Sequence, residues 1–279
     1  MRLLDFASNT NSQTGEDGIL AKILEILPAR DQWCVEFGAW DGRHLSNTCN
    51  LIENKGYAAV LIEAHPKRYQ DLLKFKDENP RIFPINRFVG FAKDDSLDIL
   101  LKDTPIPVDF DLLSIDIDGN DYHAWAATAL YRPKVVCIEF NPTIPTEVEF
   151  VQAADPNVCQ GSSLLSLTLL GRKKGYELVA VTTLNAIFVQ AQYFPLFAIP
   201  NNEPRALRED LGAVTYVFNG YDGTIFVRGC EFVTWHGLRY SNRIAQLPLI
   251  FRHLPDNYGP VKAFIYRLYK LLLRILRRG

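Results

Sequence analysis

The sequence predicts an α/β fold: a seven-stranded, mostly parallel sheet with helices on both faces, followed by a C-terminal accessory region. Three observations carry this. Five short apolar runs punctuate the first half of the chain: 33-WCVEFG-38, 57-YAAVLIEA-64, 82-IFPIN-86, 111-DLLSIDID-118 and 134-KVVCIEF-140. Runs of this length, apolar throughout, suit strands buried on both faces of a parallel sheet. Helix-like stretches at 46–55, 66–77, 94–102 and 121–130 separate them, and such alternation implies right-handed crossovers. Finally, 176-YELVAVTTLNAIFVQ-190 reads as two strands joined by a tight turn at 183–185, which makes seven strands with the last two antiparallel.

The pattern changes after Gln190. Residues 191–259 hold prolines at 195, 200, 204, 248 and 255, and 214-VTYVFNGYDGTIFVRG-229 reads as a β-hairpin turning at 219–223. The expected organisation is therefore a main domain at 1–190, an accessory region at 191–259 and a basic amphipathic helix at 260–279. A chain of 279 residues is long enough for one large core. No segment reaches about 18 uninterrupted apolar residues, so no transmembrane helix is expected. The opening MRLLDFASNTNSQTGED has no long apolar stretch and does not read as a signal peptide. Cysteines at 34, 49, 137, 159 and 230 form an odd set with no CxxC pair. Reduced, buried thiols and a cytoplasmic location are the expectation.

Charge is uneven. The net value is −2, yet the last twenty residues, 260-PVKAFIYRLYKLLLRILRRG-279, carry six Lys/Arg and no acid. The rest holds 24 basic against 32 acidic residues, a net −8. An acidic body argues against nucleic acid as the main partner.

The first strand-like run ends as 35-VEFGAWDG-42, which fits E-x-G-x-x-x-G through Glu36, Gly38 and Gly42. A glycine just past a strand lets backbone approach a ligand, and the following helix presents its N–H groups there. The dinucleotide fingerprint G-x-G-x-x-G is absent, which disfavours NAD or FAD. The second run ends as 60-VLIEAHP-66, placing Glu63 where Rossmann-like folds bind ribose hydroxyls; His65, before Pro66, reads as a helix-start residue. The fourth run leads into 116-DIDGNDYH-123. Carboxylates this close repel and need partners or a cation. Alternation would point Asp116 and Asp118 to one side, and 138-IEFNP-142 brings Glu139 and Asn141 to the same sheet edge. Asp116, Asp118 and Glu139 are therefore candidate ligands for Mg²⁺ or another hard cation. The alternative is a turn followed by a helix capped by Asp121. At the N-terminus, 12-SQTGED-17 offers a capping box of Thr14 and Asp17.

Taken in order, E-x-G-x-x-D-G, I-E-A-H-P, D-F-D-L-L-S-I-D-I-D-G-N-D-Y and I-E-F-N-P resemble the FkbM-type branch of S-adenosylmethionine-dependent methyltransferases, and 12-SQTGEDGIL-20 resembles that branch's opening. The resemblance covers roughly residues 12–190. It implies a Rossmann-like sheet of strand order 3-2-1-4-5-7-6 and methyl transfer to a hydroxyl, of a saccharide or natural product in many members. By position it implies that Glu36, Gly38 and Asp41 border the methionine part of the cofactor, with Asp116 at the same edge, Glu63 at the ribose and Phe88 near adenine. Asp118 or His123 is then the candidate general base where no metal serves. Residues 191–279 match nothing in the family pattern.

Two rivals follow from the same residues. Asp116-Ile117-Asp118-Gly119 also resembles the D-x-D-G motif of haloacid-dehalogenase-type, Mg-dependent phosphatases. That motif ordinarily opens its domain and continues with Thr, whereas here three strand-like runs precede it and Asn120 follows. A non-catalytic glycan- or partner-binding protein of the same fold is the other. In the tail, Arg267, Lys270, Arg274, Arg277 and Arg278 recur at helical spacing beside many leucines. That pattern suits peripheral contact with the inner face of an anionic membrane, or packing on the body or a second subunit of a homo-oligomer.

Overall fold

The computed structural model describes residues 1–240 and 247–276; Arg277 and Arg278 lie outside the described residues. The chain divides into two compact units, Met1–Leu211 and Gly212–Gly279. In the first unit the strands are β1 (Trp33–Phe37), β2 (Ala58–Ile62), β3 (Ile82–Ile85), β4 (Leu112–Ile115), β5 (Val135–Glu139), β6 (Tyr176–Val181) and β7 (Asn185–Gln190). They form one sheet in the order β3-β2-β1-β4-β5-β7-β6. Strands β1 to β5 run parallel, with Val35 level with Val60 on one side and Leu113 on the other. Strand β7 is antiparallel to both β5 and β6. This is the Rossmann-like sheet expected from the sequence.

Successive residues of each strand feed opposite cores, as the two-residue period requires. On one face Cys34, Leu61 and Cys137 pack with Ile19, Leu20 and Ile23 of α1 (Glu16–Ile26), Leu51 of α2 (Cys49–Lys55) and Phe75 of α3 (Pro66–Glu78). On the other, Val35, Phe37 and Leu113 pack with Leu97 of α4 (Leu97–Leu101), Trp125 of α5 (Asp121–Ala127) and Leu167 of α6 (Leu164–Lys173). A sheet buried on both faces explains why its strands read as unbroken apolar runs. A short α7 (Pro204–Leu207) follows within the same unit.

Several helix boundaries differ from the sequence reading. Helix α2 starts at Cys49 rather than 46, because Ser46, Asn47 and Thr48 are all engaged with the Glu36 carboxylate. Helix α5 stops at Ala127 rather than 130, where the Thr128 hydroxyl turns back to the Ala124 carbonyl at 2.9 Å. The capping box of Thr14 and Asp17 does not form. Gly15 is the N-cap residue of α1, in the left-handed conformation and with no side-chain cap. The Asp17 carboxylate instead accepts the N–H groups of Thr10, Asn11 and Ser12 and folds the preceding loop.

The second unit contains the hairpin read from the sequence, β8 (Thr215–Asn219) antiparallel to β9 (Ile225–Gly229). A small ribbon of β10 (Phe232–Val233) and β11 (Leu238–Arg239) comes next, and α8 (Pro260–Leu276) closes the described chain. No helix among the described residues is long and apolar enough to cross a membrane.

Candidate functional site

Strand order reverses beside β1: the chain moves outward to β2 and β3, then returns to lay β4 on the other side of β1. The loops leaving β1 and β4 therefore diverge at the carboxyl edge, which is where open α/β sheets bind ligands. Gly38 opens the first loop with φ +80°, and an added Cβ would lie 1.8 Å from the Asp116 carbonyl oxygen. The two loops meet at their bases, with the Asp116 backbone against Gly38.

The carboxylates of this edge divide by their partners. Glu36 is buried and takes three donors, the Ser46 hydroxyl at 2.5 Å, the Asn47 N–H at 2.9 Å and the Thr48 hydroxyl at 2.7 Å. Burial raises its pKa and those donors oppose the rise. Its work in the structure is to hold the 46–48 segment. Asp41 accepts the N–H groups of Arg43 and His44 and shapes the next turn. Glu63, also buried, accepts the Trp40 N–H at 2.9 Å and the His65 N–H at 2.6 Å, one on each oxygen. Each oxygen keeps a free acceptor site. Trp40 itself is left-handed at φ +49°, partly exposed, and stacked under the Arg68 guanidinium at 3.7 Å. Phe88 stands exposed in the loop after β3.

The acidic turn is built differently from the alternation argument. Strand β4 ends at Ile115, so Asp116 and Asp118 lie beyond it. Asp118 adopts φ +56°, and this left-handed residue, not strand pleating, sets their relation. Asp121 does not cap α5: it is the first helical residue, with Asn120 at the N-cap position. Its buried carboxylate accepts the N–H groups of Ile117 and Gly119, both at 2.9 Å, and clamps the turn from within. Single oxygens of Asp116, Asp118 and Glu139 come within 4.8 Å of one another. The Asp116 and Glu139 carboxyls are pushed well above the usual range, first by burial and then by neighbouring carboxylates. Burial likewise raises Asp121, to about 6. Carboxylates this close repel one another, and a bound cation would relieve that repulsion. Three hard oxygen donors around one point fit Mg²⁺ or a similar divalent ion.

A long connection between β5 and α6 covers this turn, and it is organised by Gln152. The side-chain carbonyl of Gln152 accepts from the N–H groups of Gln160 and Gly161, both at 2.8 Å, and its amide donates to the Val158 carbonyl at 2.7 Å. The Gln152 backbone carbonyl faces His123 Nε2 at 2.9 Å. A carbonyl only accepts, so His123 Nε2 is the donor in this contact. Asn120 donates to the carbonyls of Asp155 and Val158. Gly119 approaches so closely that a Cβ there would lie 3.0 Å from Cys159 Cα. Buried Arg208 fastens the start of the connection, reaching the carbonyls of Pro142 at 2.6 Å and Ile144 at 2.9 Å.

No family model and no curated protein matches the chain. Solved structures show likeness over part of it. TrmK of M. capricolum in complex with S-adenosyl-homocysteine is 12% identical, with a TM-score of 0.40 over 61% of this chain and 67% of that one. The N-terminal domain of EvdMO1, crystallised in the presence of S-adenosyl-homocysteine and D-fucose, is 9% identical, with a TM-score of 0.42 over 66% and 84%. The CurJ carbon methyltransferase is 9% identical, with a TM-score of 0.44 over 68% of this chain and 57% of that one.

The structure thus gathers Gly38, Asp116, Asp118 and Glu139 at neighbouring strand ends and sets Glu63 against the Trp40 backbone. Sequence reasoning passed over Gln152 and Arg208, whose partners are backbone groups distant in the chain, and read Asn120 only as a residue of the acidic turn. It also missed Glu16, which is fully buried and takes the Thr182 hydroxyl at 2.6 Å and the Asn185 amide at 3.0 Å. Only the acid-rich SQTGED stretch pointed towards it.

Proposed function

We propose that the chain is an S-adenosylmethionine-dependent O-methyltransferase acting on a hydroxyl of a saccharide or glycan-type substrate. The observation that carries this reading is positional. The motifs that resemble the FkbM-type branch fall at the carboxyl ends of β1, β2, β4 and β5, around the strand-order reversal, in a sheet of the order that the resemblance implies. In this reading Gly38 lets backbone approach the methionine part of the ligand, beside Asp41 and Asp116, while Glu36 holds the supporting segment. Glu63 uses its free acceptor sites on the ribose hydroxyls, and Phe88 lies towards adenine.

S-adenosylmethionine supplies the methyl sulfonium. Transfer needs in-line approach of the acceptor oxygen, so much of the protein's contribution is orientation. Asp118, exposed at the tip of the acidic turn, is the group placed to meet an incoming hydroxyl. Asp116, Asp118 and Glu139 would hold a divalent cation, which would supply Lewis acidity to a bound hydroxyl. His123 is the alternative proton acceptor.

Calorimetry with S-adenosylmethionine tests the reading. The wild-type chain is expected to bind, and Glu63→Ala to bind more weakly with its fold intact. Failure to bind, or preference for NAD, overturns it. Turnover of phosphate esters with Mg²⁺ would instead favour the phosphatase chemistry of the D-x-D-G motif.

A further inference from the structure

Helix α8 spans 17 residues and presents two unlike sides. Its tyrosines pack inward within the second unit: Tyr266 and Tyr269 lie with ring centroids 5.4 and 5.8 Å from Phe251, and Tyr266 meets Tyr258 edge-on at 5.3 Å. Its apolar side is largely exposed among the described residues. Phe264, Ile265, Leu268, Leu271, Leu272 and Ile275 are each at least 46% exposed. They recur at spacings of three and four, which places them in one stripe along the helix. Val261 extends the stripe, and Val261 and Ile265 share an apolar groove with Ile250. The patch so continues onto Ile250 and Leu249, which are 60% and 74% exposed. Soluble chains rarely leave a contiguous apolar surface of this kind without an occupant.

Charge selects the occupant. Pro260–Leu276 contains Lys262, Arg267, Lys270 and Arg274 and not one Asp or Glu. At 100° per residue, Arg267, Lys270 and Arg274 form a row beside the aliphatic stripe. A second copy pressed stripe to stripe would bring these rows together with no acid on either helix to pair them, the reverse of a self-associating coiled coil. An anionic lipid surface meets both demands. The stripe enters the acyl boundary while the cations lie among the headgroups, over a helix about 25 Å long lying flat.

We propose that α8, with Leu249 and Ile250, is a peripheral docking surface for an anionic lipid bilayer. The remainder of the chain is acidic, net −8, so the attraction to such a surface rests on the basic residues of the tail. This proposal is independent of the methyl-transfer reading.

Flotation of the full-length chain with lipid vesicles tests it. Vesicles of phosphatidylcholine mixed with phosphatidylglycerol are compared with phosphatidylcholine alone, at low and high salt. Two variants accompany the wild type. One is Leu268→Glu with Leu272→Glu; the other is Arg267→Gln with Lys270→Gln and Arg274→Gln. All five positions are exposed, and thermal melting checks that both variants fold. The wild type is expected to float with the anionic vesicles only and to be released by salt. The triple variant should lose about a hundredfold in partitioning, three cations at about fivefold each. The double glutamate variant should not float. Wild type that stays in the bottom fraction at low salt, or floats equally with neutral lipid, overturns the proposal. So does a concentration-dependent dimer, dispersed by the double glutamate variant, in a protein that does not float.

Discussion

Gly38 and Asp116 meet backbone to backbone: a methyl group on Gly38 would stand 1.8 Å from the Asp116 carbonyl oxygen. The contact joins the carboxyl ends of β1 and β4 at the strand-order reversal. Two constraints therefore fix the residue, this approach and a φ of +80°. Gly38→Val is expected to cost about 3 kcal/mol or more in stability, since the clash is with backbone and cannot be relieved by a rotamer change. It should also abolish S-adenosylmethionine binding in whatever fraction remains folded. Thermal denaturation and calorimetry read the two effects; a valine variant with wild-type melting and binding would show that the loops do not touch.

Glu16 fastens the start of α1 to the β6–β7 turn. Its carboxylate accepts the Thr14 N–H at 2.7 Å, the hydroxyls of Thr14 and Thr182, and the Asn185 amide. Burial works to raise its pKa, but these donors outweigh burial and hold it below the usual value. A carboxyl lowered in the fold stabilises it in the ionised form. That stability is present above the unfolded value, about 4.3, and is lost as pH falls through the lower folded value. Glu16→Gln is expected to lose about 2 kcal/mol near neutral pH, with the gap to wild type narrowing below about pH 4. Denaturant titrations across that range read it. A gap that does not change with pH would mean the charge is immaterial.

The sheet was legible because burial on both faces writes itself as apolar runs, and 33-WCVEFG-38 or 134-KVVCIEF-140 admit few other readings. The acidic trio was legible for a less secure reason. Alternation along a strand suggested that Asp116 and Asp118 share a side, whereas the strand ends at Ile115 and a left-handed Asp118 sets the geometry. Asp121 shows the limit of local rules. In sequence it resembles a helix cap, yet its carboxylate reaches backwards to Ile117 and Gly119. Gln152 and Arg208 were not legible, because a side chain that binds carbonyls and amides of another segment leaves no pattern in its own neighbourhood.

Gln152 is expected to govern the order of the connection over the acidic turn. Gln152→Ala removes three side-chain hydrogen bonds and should cost about 3 kcal/mol. The backbone carbonyl that faces His123 survives the change, so any effect on His123 comes through loosening of the loop. Hydrogen exchange is the direct reading: the Gln160 and Gly161 amides, which donate to Gln152, should lose protection while the β4 amides keep theirs. If both loop amides stay protected in the alanine variant, Gln152 is not the organiser.

The trio of Asp116, Asp118 and Glu139 has its own signature. Burial and mutual repulsion raise the Asp116 and Glu139 carboxyls. Carboxyls raised in the fold keep their protons there, so stability is highest below the unfolded values, about 4, and declines as pH rises through the folded ones. A divalent cation competes with those protons, and its apparent affinity must increase with pH. Mg²⁺ or Mn²⁺ is thus expected to raise the melting temperature more at about pH 8 than at about pH 6. Asp118→Asn tests the charge alone, because asparagine tolerates the left-handed backbone that Asp118 adopts. The variant should fold, lose the cation-dependent gain in melting temperature and lose at least about tenfold in turnover. Chelation by EDTA should lower wild-type activity and leave the variant unchanged. Equal melting curves with and without cation at both pH values, together with full activity of Asp118→Asn, would reduce the acidic turn to a clamp built around Asp121.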